Sequence, residues 1–185
     1  MNTFGQFAFD IRSYECGPDG LVTLASVMNY LQEAASRQAE TCGFSKSDFE
    51  AAGGDISWVL TRFHLKMSRY PRWRERVDVV TWPCGGRKIV AERDFELRVG
   101  DETVGVATSE WMLIDLTTRK IVPVPQHVYD LANDERPRAL PNHAFSKLRW
   151  DCQTAASDAI RFRAKRGDID LNGHVNNVHY ISWML

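Results

Sequence analysis

Hydrophobic and polar positions change their period several times along the chain, and each change marks a structural element. Phe7, Phe9 and Ile11 share one face at period 2, predicting a strand over about 7–15. Cys16-Gly17-Pro18-Asp19-Gly20 breaks it. Leu24, Met28, Leu31 and Ala35 then recur at helical spacing, predicting one long helix over about 21–42 with Asp19 as its N-terminal cap and Gly43 as its stop. After a polar segment, 45–54, four long strand-like runs follow, about 56–70, 75–82, 87–98 and 103–115. In the third run Ile89, Ala91, Phe95 and Leu97 face one way and Val90, Glu92, Asp94 and Glu96 the other.

Turn chemistry divides these runs. Val99-Gly100-Asp101-Glu102 predicts a hairpin, and Cys84-Gly85-Gly86 a second. In the first run the apolar phase switches from even positions through Leu60 to odd ones at Phe63, Leu65 and Met67, which places a bulge near Thr61. Pro123-Val124-Pro125 ends the sheet, 126–133 predicts a short helix, and 135–157 reads as a polar linker. A further strand over 159–165, a turn and the start of a helix complete the chain. The predicted domains are therefore 1–134, a linker 135–157 and a unit 158–185. One strand, one long helix and four long antiparallel strands give an α+β chain in the order of a hotdog fold, a central helix wrapped by a sheet, followed by the start of a second.

The last segment repeats the first. Glu15 falls on Asp168, Asp19-Gly20 on Asn172-Gly173, and Leu21 on His174, which implies a duplicated domain. The second copy reaches Leu185 within its helix. A strand and helix alone bury too little surface to fold independently. The expectation is that 158–185 docks on the first domain or a second chain, or that the natural protein continues past Leu185.

Composition narrows the function classes. With 44% hydrophobic and 25% charged residues the chain is globular, and a net charge of −1 argues against a bulk-basic nucleic-acid binder. No apolar stretch approaches the roughly 20 residues of a membrane span. The first ten residues lack a basic-then-apolar signal, so the expectation is a cytoplasmic protein. Cys16, Cys42, Cys84 and Cys152 form no C-x-x-C pair, which disfavours zinc; Cys16 alone merits a check for reactivity.

The densest chemistry lies in Asp168-Ile-Asp170-Leu-Asn172-Gly-His174-Val-Asn176-Asn177-Val-His179-Tyr180, with Trp183 beyond. Asp170, Asn172 and His174 alternate across a turn between strand and helix, so their side chains can converge. Asn176 or Asn177 can cap the helix, whose free N–H groups suit a developing oxyanion. Histidine near its ordinary pKa suits water activation. Turn chemistry alone also accounts for Asp, Asn and Gly here, and His179 reads as structural or surface.

This segment resembles the acyl-acyl-carrier-protein thioesterases of plants and bacteria, whose catalytic half carries D-x-D-x-N-x-H-V-N-N-x-x-Y-x-x-W. Arg12-Ser-Tyr-Glu15, Tyr30-Leu-Gln-Glu-Ala34 and Ser109-Glu-Trp111-Met-Leu-Ile-Asp115 resemble that family's first hotdog. The resemblance implies hydrolysis of fatty acyl thioesters on acyl carrier protein without metal or organic cofactor, and in fatty acid biosynthesis. It casts Asp170 as the orienting residue and Asn172 and His174 as the pair handling thioester and water. The family's catalytic carboxylate, usually Glu on a later strand, has no counterpart before Leu185. Leu21 stands where the second copy has His174, so the first hotdog is expected to contribute acyl-cavity walls, with Trp58, Phe63, Met67 and Trp111 as candidates against an ordinary core role. Arg69, Arg72, Arg74 and Arg76 are candidates for docking acidic carrier protein, or a solvated strand junction. An acyl-CoA thioesterase and a non-catalytic acyl-binding module are the alternatives. Exposed edges of an unfinished hotdog would favour homo-oligomers.

Overall fold

The computed structural model describes residues 4–132, 136–141, 143–146, 160–171 and 173–185. The chain falls into two compact units, Met1–Pro141 and Asn142–Leu185.

In the first unit, β1 (Gly5–Asp10) leads through a 3-10 turn at Ser13–Glu15 into α1 (Leu24–Thr41) and the short α2 (Lys46–Ala51). Strands β2 (Ile56–Met67), β3 (Arg76–Arg87), β4 (Val90–Val99) and β5 (Glu102–Asp115) follow, then β6 (Ile121–Val122) and α3 (Gln126–Tyr129). The sheet is antiparallel in the order β1-β3-β4-β5-β2, with β6 on β5. This is the hotdog arrangement. Helix α1 packs against β3 and β1, and Leu31, Val27, Val77, Val79, Phe95, Leu97, Val104 and Leu113 form the buried core. Val79 faces Leu97 and Thr81 faces Phe95 across β3 and β4. Cross-strand apolar pairs of this kind stabilise the layer the helix covers.

Local chemistry explains the boundaries, including where they depart from the sequence pattern. Thr23, not Asp19, caps α1, its hydroxyl accepting the Ser26 N–H at 3.1 Å. Asp19 instead accepts the Leu21 N–H at 3.0 Å and closes the preceding turn. Gly43 ends the helix as expected, at φ 75°. The polar stretch after it holds a helix, because Ser45 and Asp48 form a reciprocal capping box. The expected bulge lies between Leu60 and Arg62. Cys84-Gly85-Gly86 is not a hairpin turn but an irregularity within β3, whose register shifts between Pro83 and Gly86. The turn comes at Lys88-Ile89, with Lys88 at φ 50°. The expected Gly100-Asp101 turn is present.

The outer face of the sheet is also covered. Arg138 forms a two-pronged ion pair with Asp94, at 2.9 and 3.2 Å, and reaches Glu92 at 2.8 Å. The Ala139 N–H donates to Asp94 at 2.7 Å, and Arg136 lies 4.4 Å from the Trp82 ring centroid. The acidic positions of β4 therefore face a basic strap, which explains a fully buried Asp94.

The second unit holds a 3-10 turn at Arg166–Asp168 and α4 (Asn177–Met184). Residues 160–165 form no strand, correcting that expectation over the part described. Among the described residues no helix is long and apolar enough to cross a membrane.

Candidate functional site

The turn before each unit's main helix is built on one frame, offset by 153 residues: Glu15 to Asp168, Gly20 to Gly173, Thr23 to Asn176. A carboxylate accepts the N–H three residues before it: Glu15 from Arg12 at 2.7 Å, Asp168 from Lys165 at 2.8 Å. The loop closes from Gly17 N–H to Leu21 O at 2.9 Å, and from Asp170 N–H to His174 O at 2.8 Å. Glycine makes the reversal at φ 74° in both, at Gly20 and Gly173, a region side-chain-bearing residues seldom occupy. The chain then crosses back, Thr23 N–H to Glu15 O and Asn176 N–H to Asp168 O, each at 2.9 Å. An isolated bridge closes each, Cys16 with Val22 and Ile169 with Val175. Thr23 and Asn176 then cap their helices.

Different side chains ride on this shared frame. Gly17, Asp19 and Leu21 of the first turn correspond to Asp170, Asn172 and His174 of the second. Asp170 and His174 are brought together: the His174 N–H donates to Asp170 Oδ1 at 3.3 Å, beside the main-chain bond that closes the loop. Asp170 is half-buried and His174 exposed. Asn172 lies outside the described residues. Asn176, one of the two candidate caps, fills that role, its side-chain oxygen accepting the Val178 N–H at 3.1 Å, so α4 begins just beyond the turn. His179 is not merely a surface residue, since its Nδ1 lies 3.5 Å from Asp168 Oδ1. Its separation of eleven residues from Asp168 matches no local sequence pattern, so the contact becomes visible only once the turn is closed.

The first unit contains an apolar groove lined by Ala35, Ala39, Phe44, Trp58, Trp111 and Val128, with Arg93 in its wall. Trp58 donates its indole N–H to Phe44 O at 2.8 Å and Trp111 to Ser109 Oγ at 2.7 Å, which satisfies both polar edges and leaves the ring faces for the groove. Of the four candidate wall residues these two line it. Phe63 instead packs on Phe95 at 5.7 Å, and the Met67 sulfur fills space that a side chain at Gly105 would need. Arg93 is buried, bonded to Gln38 Oε1 at 2.6 Å and Thr81 Oγ1 at 3.1 Å. Burial pulls its pKa down to about 10. No sequence signal marks this arginine, because its partners come from two other elements, α1 and β3.

The arginine cluster divides. Arg69 is occupied by Glu75 and Glu102, at 3.1 and 2.8 Å. Arg74, at φ 72°, lies over the half-exposed Trp73 ring at 4.3 Å. Arg72, Arg74 and Arg76 are exposed. Cys16 is not activated: its thiol donates to Arg12 O at 3.6 Å, and burial, with Glu15 and Asp19 nearby, pushes its pKa up. Among the described residues no cluster of His, Cys, Asp and Glu is arranged to hold a metal.

Comparison with known proteins fits this division. The family model of the acyl-ACP thioesterase N-terminal domain matches residues 3–132, and that of the C-terminal domain matches 152–185. Arabidopsis thaliana oleoyl-acyl carrier protein thioesterase 1, chloroplastic, is 33% identical over 190 residues, covering 96% of this chain and 52% of the relative. The palmitoyl-acyl carrier protein thioesterase of the same plant is 32% identical over 188 residues, covering 96% and 45%. The chain thus spans about half the length of the curated relatives it matches. Among solved structures, an acyl-ACP thioesterase from Bacteroides thetaiotaomicron superposes with a TM-score of 0.83 at 26% identity, covering 99% of this chain and 72% of that one. The 12:0-ACP thioesterase from Umbellularia californica gives 0.80 at 30% identity, covering 99% and 74%. With its first hotdog unit matched almost end to end and its second turn carrying the family's polar signature, the chain belongs to the acyl-ACP thioesterase family.

Proposed function

We propose that the protein hydrolyses fatty acyl thioesters carried on acyl carrier protein, releasing free acid and carrier thiol. The observation that carries this reading is the second turn, which keeps the main-chain bonds made within the first while exchanging Gly17 and Leu21 for Asp170 and His174. A frame retained while only its side chains change toward chemistry points to catalysis rather than to turn formation.

In this mechanism His174 draws a proton from water as the water oxygen adds to the thioester carbonyl carbon. The oxyanion is held by the Asn172 side-chain amide. Collapse breaks the C–S bond, and the proton passes to the departing thiolate. Asp170, bonded to the His174 main chain, orients the loop. The groove of Trp58 and Trp111 takes the acyl chain, and the exposed Arg72, Arg74 and Arg76 meet the acidic carrier. The cytoplasm is the proposed compartment.

The test is turnover of long-chain acyl-ACP and acyl-CoA side by side, for the wild type and His174→Ala. Loss of an acid–base residue should lower kcat by about 10²–10⁴-fold. Preference for the CoA ester would reassign the carrier. Acyl-chain binding with no hydrolysis would make the protein a binding module.

A further inference from the structure

Both turns spend a carboxylate in the same way, but they anchor it to different helix residues. Glu15 holds the Arg12 N–H and accepts the Tyr30 hydroxyl of α1 at 2.7 Å. Asp168 holds the Lys165 N–H and faces His179 Nδ1 of α4 at 3.5 Å. On the shared frame His179 stands at the position of Ser26, and Tyr30 at that of Trp183. The aspartate is one methylene shorter than the glutamate, so it takes a partner one turn nearer the start of the helix. Its side chain is 16% exposed, close to the 13% of Glu15. This shielding keeps water from dissolving the contact, as it does for most surface pairs.

We infer that Asp168 is a positioning residue for hydrolysis, clamping the turn that bears Asp170, Asn172 and His174 to helix α4 through His179. The inference rests on the proposed hydrolase reading. Two hydrogen bonds and a side-chain contact converge on this one residue: its carboxylate accepts the Lys165 N–H before the turn and lies 3.5 Å from His179 Nδ1 on the helix after it, and its main-chain oxygen accepts the Asn176 N–H at the helix cap. Releasing the carboxylate removes the side-chain tie between the chain before the turn and α4, so His174 moves relative to the start of that helix. Displacement of about 1 Å at a reacting group costs on the order of 10²-fold in rate. The proposed mechanism assigns the acyl tail to the groove of Trp58 and Trp111, so the loss belongs in kcat and not in KM.

The experiment uses the whole protein with two readouts, acyl-ACP turnover and amide hydrogen exchange. Asp168→Ala should lower kcat by about 10²-fold with KM unchanged, and speed exchange at Asp170, Gly173 and Asn176. Asp168→Glu should restore most of the rate, because the first turn already accommodates glutamate on this frame. His179→Phe should reproduce part of the loss, and add little to Asp168→Ala in the double variant, because both remove one contact. Glu15→Gln, in the turn without catalytic side chains, should leave kcat unchanged. Unaltered exchange in Asp168→Ala, or equal loss from Asp168→Ala and Asp168→Glu, overturns the inference. If the wild type turns over no acyl thioester while exchange responds as expected, the clamp stands and the hydrolase reading falls.

Discussion

The two turns share a backbone but not a setting, and the contrast separates what holds such a turn from what makes it reactive. The first is enclosed. Val22 N–H donates to Pro71 O at 2.8 Å, Trp73 N–H to Gly20 O at 3.0 Å, and Leu21 bridges to Arg72. Leu21, beside this crossing segment, is half-buried. In the second turn the matching residue, His174, is exposed. The helices that follow differ in the same sense. α1 buries nine residues, whereas α4 buries Val178 alone. One copy is bound to a crossing segment of its own sheet unit, and the other holds the residue of the proposed chemistry exposed.

The largest difference should appear when each helix loses a core methyl cluster. Leu31 is fully buried against the sheet, and truncation of such a residue costs about 2–5 kcal/mol. Leu31→Ala should therefore lower the urea midpoint steeply. Ile181, half-buried on α4, should lose under about 1 kcal/mol on truncation to Ala. Equal losses would mean that the second helix is as much a core element as the first, and would erase the distinction.

Caps give a finer comparison. Thr23 and Asn176 hold equivalent positions and each accepts an N–H of its own helix, at 3.1 Å in both cases. Removing either cap should cost about 1 kcal/mol, but the loss should register in different places. Thr23→Ala should shift global unfolding, since α1 belongs to the main core. Asn176→Ala should leave that transition nearly still and speed exchange in α4, as expected where few apolar contacts couple a helix to the rest.

What the sequence discloses follows the range of the interactions involved. Periodicity exposes β1, α1 and the four long strands because burial of one face acts at every second or every third to fourth residue. The bulge near Thr61 is legible for the same reason, as a change of phase. Helix α2 is not found by periodicity, being one and a half turns long; its signal is Ser45 and Asp48 three positions apart, a cap rather than a stripe. The Gly85-Gly86 irregularity misleads because glycine serves bulges and turns alike. Asp170 and His174 are visible as a local motif on a repeated turn. Asp94 with Arg138, 44 residues apart, and Arg93 with Gln38, 55 residues apart, leave no trace in sequence because only the folded sheet brings them together.

The smallest expected effect concerns the surface beside the enclosed turn. The segment that closes it, Pro71–Trp73, continues into the exposed arginines, so in the proposed reading the first copy carries the carrier contact and the second the chemistry. Arg69 is neutralised by Glu75 and Glu102, and the Arg72 N–H that holds Glu75 keeps that carboxylate's pKa low. The free charge of the cluster thus resides on Arg72, Arg74 and Arg76. Reversal at Arg72 and Arg74 to Glu changes long-range attraction without disturbing a buried contact, so it should act on encounter rather than on chemistry. The expected result is a severalfold rise in KM for acyl-ACP that shrinks as salt is raised, with short acyl thioesters lacking the carrier hydrolysed at the wild-type rate. Equal loss on both substrates would show that the arginines support the turn instead of the carrier, and the division of labour between the two copies would fail at its weakest point.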